Sequence, residues 1–347
     1  MNHDEPTLHV LPRWDDLAVC IVRGGRIDEL LRFPVEPATM TDRGWHIPSL
    51  AHPRAVSLDP PAVAFTAPMP GGGRTQLVRL DIKIASSRVI QESILDLPDD
   101  LEPQCLRSHR GRLFAGGASK GAHSPLAYLD WNIDPPLWQA IEFPFFEMGR
   151  RSGIAALLVD NNRLIGMDNT HYPKLLRCEI SGSPVMQNFI KLDSHSIDDQ
   201  VKQIALGETW IVVLSSIAGN HPYWQLLVLG RGSLAPRIRE RATPRSCGQD
   251  SEVLRWMHAL HPKTFREWHD IAFCGDKLIL AAGEDGFGVF DLDFSRATYG
   301  QNCQPGGIDY CSLPKRGEAL AVEAIDAERV IVTYRIEERL ESLVICV

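Results

Sequence analysis

The stretch His269–Asp293, HDIAFCGDKLILAAGEDGFGVFDLD, decides the fold. It holds three short apolar runs, DIAF, KLILAA and FGVFDLD, separated by the polar turns CGD and GEDG. Runs of this length bounded by Gly and Asp are too short for helices and read as strands joined by hairpins.

Working outward, the same unit recurs along the whole chain. The central run reappears as LAVCIV from Leu17, AVAF from Ala62, RLFAGG from Arg112, RLIGM from Arg163, WIVVLSS from Trp210, KLILAA from Lys277 and RVIVTYRI from Arg329. With Val19, Val63, Leu113, Leu164, Ile211, Leu278 and Val330 as markers, the steps are 44, 50, 51, 47, 67 and 52 residues. A second series, ELLRF, LVRLDI, LAYLDW, KLLRCEI, WQLLVLG, FGVFDLDF and SLVICV, follows each of these after a turn. Its steps are 47, 49, 49, 51, 63 and 54 residues. A preceding inner strand is visible at GIAALLV, VKQIAL, HDIAF and ALAVEAI, and an outer one at VIQESILDL, WQAIEF, MQNFIKL and APRIRER. Four strands per unit at a period of roughly 45 to 50 residues is the pattern of propeller blades.

On these residues the chain resembles the β-propeller superfamily, most visibly in the blade-like His269–Asp293 stretch with its Val-x-Asp ending. The resemblance implies an all-β, seven-bladed β-propeller over residues 1–347 as one domain. It extends to no specific family, because the Gly-His and Trp-Asp pairs of WD40 blades and a regular kelch signature are missing. The last unit ends at Val347 with its third strand, so LHVL from Leu8 either supplies the missing outer strand or begins the first blade. In the first case, removing the segment through Leu11 destabilises the ring.

The long step between the fifth and sixth units carries about twenty extra residues, judged against the repeat period. In SEVLRWMHALHP, Val253, Trp256, Met257 and Leu260 fall at helical spacing behind a candidate N-cap, Ser251, and before Pro262. The spacing predicts a helical insertion within about 243–268. Trp256 and Met257 are its candidate partner-binding anchors. Just before it, Arg231, Arg237, Arg239, Arg241 and Arg245 lie within fifteen residues. They offer either a phosphate site or the solvated face of an outer strand.

Composition narrows the function classes. Apolar residues make up 44% and charged residues 23% of the 347, ample material for a core. The formal net charge of -8 disfavours nucleic acid or acidic membranes as general partners. The start, MNHDEPTLHV, lacks the basic and apolar regions of a secretory signal, and no apolar run is long enough to span a bilayer. The eight cysteines form no CxxC pair, and Cys20 and Cys346 sit in apolar strand patterns. A cytoplasmic protein with reduced thiols is expected.

In a propeller, the loops after the seven first-series strands open on one face together with the loops that link the blades. Lys120, His123, Asp168, Asn169, His171, Asn220, His221, Glu284 and Asp285, with Trp268 and His269, are the candidates for a ligand or partner site there. Oxygen and nitrogen donors around a channel mouth would suit calcium in a metal-dependent hydrolase or lactonase. The same Asp, Asn and Gly residues are also what tight hairpins need. The histidines show no HExxH, and the GxSxG at Gly117–Gly121 leads toward a strand rather than a helix. No catalytic residue, metal ligand set or cofactor motif is assigned. The sequence favours a non-enzymatic scaffold or adaptor that binds a protein partner, with the metal-dependent hydrolase as the alternative.

Overall fold

Chain reversals set the strand ends. Gly24 and Gly25, Arg110 and Gly111, Asn161, and Gly275 adopt positive φ at hairpin tips, a backbone that glycine and asparagine reach at low cost. A computed structural model of the chain describes residues 5–12, 16–34, 39–41, 44–46, 56–68, 75–99, 101–119, 124–141, 153–168, 174–191, 199–217, 223–231, 253–258, 268–291, 308–311, 313, 317–337 and 339–347.

Among these residues the chain forms seven antiparallel sheets of three or four strands and one two-stranded ribbon, each sheet a meander in chain order. The first sheet is β1 (Thr7–Pro12), β2 (Asp16–Arg23) and β3 (Arg26–Pro34). The ribbon follows as β4 (Thr39–Thr41) and β5 (Gly44–His46). The second sheet is β6 (Val56–Asp59), β7 (Ala62–Pro68), β8 (Thr75–Lys83) and β9 (Arg88–Asp96). The third is β10 (Leu101–His109), β11 (Arg112–Ser119), β12 (Leu126–Asp130) and β13 (Trp138–Ala140). The fourth is β14 (Ile154–Asp160), β15 (Arg163–Asp168), β16 (Lys174–Glu179) and β17 (Val185–Lys191). The fifth is β18 (Asp199–Leu206), β19 (Trp210–Ile217), β20 (Tyr223–Gly230) and β21 (Val253–His258). The sixth is β22 (Asp270–Cys274), β23 (Lys277–Ala281), β24 (Phe287–Asp291) and β25 (Ile308–Cys311). The seventh is β26 (Glu318–Ala324), β27 (Arg329–Ile336) and β28 (Arg339–Cys346).

Both repeated series of the sequence are strands, the second and third of each sheet. One expectation changes. Residues 253–258 are not helical: they form β21, paired with β20 from Trp224↔His258 to Leu229↔Val253. A helix of about three turns is marginal by itself, whereas the free edge of β20 satisfies a strand's backbone groups along its length. No α-helix occurs among the described residues, so none is long and apolar enough to cross a membrane. Of the two placements open to LHVL, the structure has the second: it begins the first sheet as its innermost strand, with Leu8 opposite Ile21, and is not an outer strand of the last.

The core lies between sheets rather than at one centre. Val19 and Ile21 pack on Val63 and Leu80; Leu77 on Leu113; Phe114 on Leu164; Ile165 on Ile211; Leu214 on Leu278; Ile279 on Val330. A seventh cluster joins Leu11, Ala18, Cys20 and Val22 of the first sheet to Ile331 of the last. The order closes on itself.

Polar stitches reinforce the inner strands. Asp270, 1% exposed, accepts from the backbone N–H of Ile271 (2.8 Å) and from Gln203 Nε2 (3.2 Å) with Oδ1, and from the N–H of Val322 (2.9 Å) with Oδ2. One carboxylate therefore ties the fifth, sixth and seventh sheets. His9, also buried, lies 2.7 Å from Glu323 Oε1 through Nδ1 and 2.8 Å from Thr7 Oγ1 through Nε2, so the first and last sheets share a polar latch. At the opposite ends of the strands, Arg112 Nη1 donates to the carbonyls of Ile180 (3.0 Å) and Gly182 (2.5 Å) in the next sheet.

Two outcomes follow from this packing. Deleting residues 1–12 removes Leu8, His9 and Leu11 from two interfaces, so cooperative urea unfolding of the remaining chain is expected to disappear; an unchanged transition would contradict closure through the first sheet. Phe290→Ala empties a fully buried site against Trp268, and a loss of about 3–5 kcal/mol in the same assay is expected. Ile133→Ser, at an exposed position, should change stability by no more than about 0.5 kcal/mol.

Candidate functional site on the loop face

The innermost strands begin, and the second strands end, on the same side of the ring, so their connecting loops share one face. The best described part of that face is the junction of the sixth and seventh sheets. Trp268 and His269 lead into β22, the turn 282–286 joins β23 to β24, Glu318 opens β26 and Arg335 lies near the end of β27.

The turn is built from backbone contacts. Ala282 N–H donates to the carbonyl of Gly286 (2.8 Å), Gly286 N–H to Gly283 (3.0 Å), and Gly283 and Gly286 both take positive φ. A Cβ at Gly286 would collide with the Cys311 carbonyl, so this glycine is required by space as well as by φ. Gly283 also exchanges two backbone hydrogen bonds with Ala319, 3.1 and 2.8 Å, stitching sheet six to sheet seven. A matching bridge, Ala118↔Gly153, joins sheets three and four. Glu284 stands exposed at the tip and Asp285 is half-buried. Both therefore sit in the hairpin that their residue types favour.

Three ionisable side chains converge behind the turn. His269 Nε2 lies 3.2 Å from Glu318 Oε1, and Arg335 Nη2 donates to Glu318 Oε2. The hydrogen bond from His269, helped by the charge of Arg335, holds the Glu318 carboxyl below the usual carboxylate range, although burial pushes it up. Both carboxylate oxygens are engaged. The cluster holds two sheets together, and a carboxylate bound on both oxygens by cationic or donor groups is poorly placed to take a proton or a metal ion.

The other described sequence candidates lie away from this cluster or inside the core. Trp268 is 3% exposed and stacks edge-on against Phe290, with ring centroids 6.4 Å apart, so it is core and not a partner contact. Trp256 and Met257 lie on β21, opposite Leu226 and Gln225, rather than on an insertion. Asp168 ends β15 opposite Ile154. Lys120, His123, Asn169, His171, Asn220, His221, Arg237, Arg239 and Arg241 lie outside the described residues. Arg231, the described member of the arginine run, binds Asp160 Oδ1 through Nη2 (2.6 Å) and Nε (3.0 Å). It joins the fifth sheet to the fourth.

Ser119 of the GxSxG ends β11, and a Cβ at Gly117 would collide with the Glu102 carbonyl, which explains the glycine without a nucleophile. Among the described residues, no group of three or more His, Cys, Asp or Glu is placed to hold a metal ion. Glu318 and Arg335 were the residues that sequence reasoning missed. Their signal is positional: Glu318 directly precedes the inner-strand run ALAV, as His269 precedes the first residue of β22.

No family model and no curated protein matches the chain in sequence. Solved structures do match in fold. Hydrazine synthase of Kuenenia stuttgartiensis aligns with a TM-score of 0.60 at 9% identity, over 100% of this chain and 97% of that one. A puromycin hydrolase aligns with a TM-score of 0.54 at 12% identity, over 97% of this chain and 50% of that one. The WD40 β-propeller domain of Doa1 gives a TM-score of 0.49 at 11% identity, over 98% and 89%. The chain is a β-propeller. At such identities the likeness concerns fold and carries no activity with it.

The bridge makes a pH-dependent prediction. Because folding lowers the Glu318 pKa, its stabilisation is present above the ordinary carboxylate pKa and is lost as pH falls through the depressed folded value. Glu318→Gln should therefore lower the melting temperature at pH 7 and cost progressively less below about pH 4, near the ordinary carboxylate pKa. A pH-independent difference would show that the ionised carboxylate is not what the junction uses.

Proposed function

We propose that residues 1–347 form one seven-bladed propeller domain that acts as a non-enzymatic protein-interaction scaffold in the cytoplasm, with the loop face as its docking surface. The observation that carries this reading is the closed His269–Glu318–Arg335 bridge. It gathers the residue types of an acid–base site, yet it spends them on joining two sheets. What the junction leaves outward is shape and charge: the rigid hairpin with Glu284 exposed at its tip. A pre-ordered loop on a rigid ring suits recognition, since little ordering entropy remains to be lost on binding.

The test is capture of partners by the tagged full chain from its native cells, compared with Glu284→Arg. Loss of a specific partner, by at least about tenfold in the amount retained, is expected if the hairpin is a central contact. Unchanged partners would remove the loop face from the interaction. Calcium titration followed by calorimetry separates the hydrolase alternative: saturable binding of one ion, lost when Asp168 or Glu284 is replaced by Ala, would favour that reading instead.

A further inference from the structure

A second surface is marked by where apolar side chains remain exposed. The five large ones that do so among the described residues, Val89, Ile90, Ile94, Ile133 and Leu137, all belong to the outer margin of the second and third sheets. Three lie on β9, the outermost strand of the second sheet and, at nine residues, the longest fourth strand of any sheet. A protected edge strand carries charge and gives up its apolar residues. β9 keeps both: Ile90 is 65% and Ile94 53% exposed.

Register explains the exposure. Glu92, Ile94 and Asp96 lie opposite Leu80, Val78 and Gln76 of β8, and Leu80 and Val78 pack against the first sheet. The three β9 residues therefore share the side that faces the first sheet. That sheet stops at its third strand among the described residues, so nothing described covers Ile94. The register shift in the pair lies at Ile90, between Gln91 and Val89, which leaves the alternation from Gln91 to Asp96 regular. Among the described residues no strand lies beside the outer backbone edge of β9, and only at its end does a side chain of the third sheet reach the backbone, Trp138 Nε1 donating to the Asp96 carbonyl (3.0 Å).

We propose that β9 accepts an extended segment of a protein partner as a fifth strand, and that this segment reads basic–x–apolar–x–basic. A strand added at an edge continues the backbone ladder, and its alternate side chains lie on one side, opposite those of the edge strand. Glu92, Ile94 and Asp96 then face three partner residues in turn. Opposite charges and apolar pairs stabilise such cross-strand positions, and like charges oppose them. Asp99, just past the strand, is also exposed, whereas the bases Arg88, Lys83 and Arg23 gather at the other end of β9, by the β8–β9 turn. Glu92 and Asp96, flanking Ile94 on one side of the strand, disfavour an anionic membrane or a nucleic acid as the occupant there. The rim surface is separate from the loop face, so its test stands apart from the test of the scaffold reading.

The probe is a fluorescein-labelled peptide, Val-Lys-Thr-Ile-Thr-Lys-Val, titrated with the full chain at low salt and followed by anisotropy. Saturable binding is expected. Glu92→Lys and Ile94→Lys, both exposed and checked for folding by thermal melts, should each weaken it by about tenfold. The reversed-charge peptide, with Glu for both Lys, should bind the Glu92→Lys/Asp96→Lys double variant and not the wild type. Methylating alternate backbone nitrogens of the lysine peptide should abolish binding, because strand addition needs those N–H groups. The proposal is overturned by no saturation up to about 1 mM, a dissociation constant worth only about 4 kcal/mol. Equal binding of a scrambled lysine peptide or of the methylated one, or indifference to Glu92→Lys and Ile94→Lys, also overturns it.

Discussion

Each of the seven larger sheets among the described residues is apolar on both faces, and that constraint organises the rest. Leu113 of β11 belongs to the cluster shared with the second sheet while its neighbour Phe114 belongs to the cluster shared with the fourth. A sheet of this kind is stable only when covered on both sides, and a linear stack leaves its two end sheets half bare. The packing of Leu11, Ala18, Cys20 and Val22 on Ile331 removes both bare faces at once. The three strands of the first and last sheets matter less than this interface, since closure is made by side chains and the His9–Glu323 contact rather than by a shared strand.

Polar groups follow from the same geometry. Where inner strands converge, a buried donor or acceptor must find its partner in the next sheet, because leaving one unpaired costs about 1–3 kcal/mol. Asp270 satisfies that need across three sheets, Ser57 accepts from Ser108 N–H across two, and the His269–Glu318–Arg335 bridge does it at the rim of the loop face. Residue types familiar from active sites are thus used here for assembly. Buried thiols belong with them: burial pushes Cys178 up to about 12 and Cys274 up to about 11, so both stay protonated and pack as small apolar groups.

What could be read from the sequence was the part fixed by period and turn chemistry. KLILAA and its equivalents are β-rich, bounded by Gly and Asp, and too short to be anything but strands, so the second and third strand of every sheet was legible. Segments whose fate depends on a neighbour were not. VLRWMH fits a helical stripe and a strand equally well, and the open edge of β20 decides between them. Likewise LHVL is a strand in either location, and its sequence does not say which edge it meets. Trp268 reads in the sequence as a loop aromatic next to His269, but Phe290 and the fifth sheet enclose it. Glu318 escaped notice because a glutamate next to an apolar run is unremarkable until His269 and Arg335 arrive from other strands.

The same reasoning explains how a fold can be shared by chains of very low sequence identity. An inter-sheet cluster asks only that side chains be apolar and fill the space, and many combinations do so. Identity of 9% over the full length of the chain is compatible with a TM-score of 0.60 for that reason. The residues under tighter constraint are those that meet another backbone, such as Gly117 against Glu102 or Gly286 against Cys311, and these too serve the ring. Packing makes no such demand at the hairpin tips of the loop face or on the outer strands, so residue types there are free to follow other requirements. On β9 the exposure of Ile90 and Ile94 costs solubility and gains nothing for the core, so packing gives no account of why they are apolar, whereas contact with another chain does.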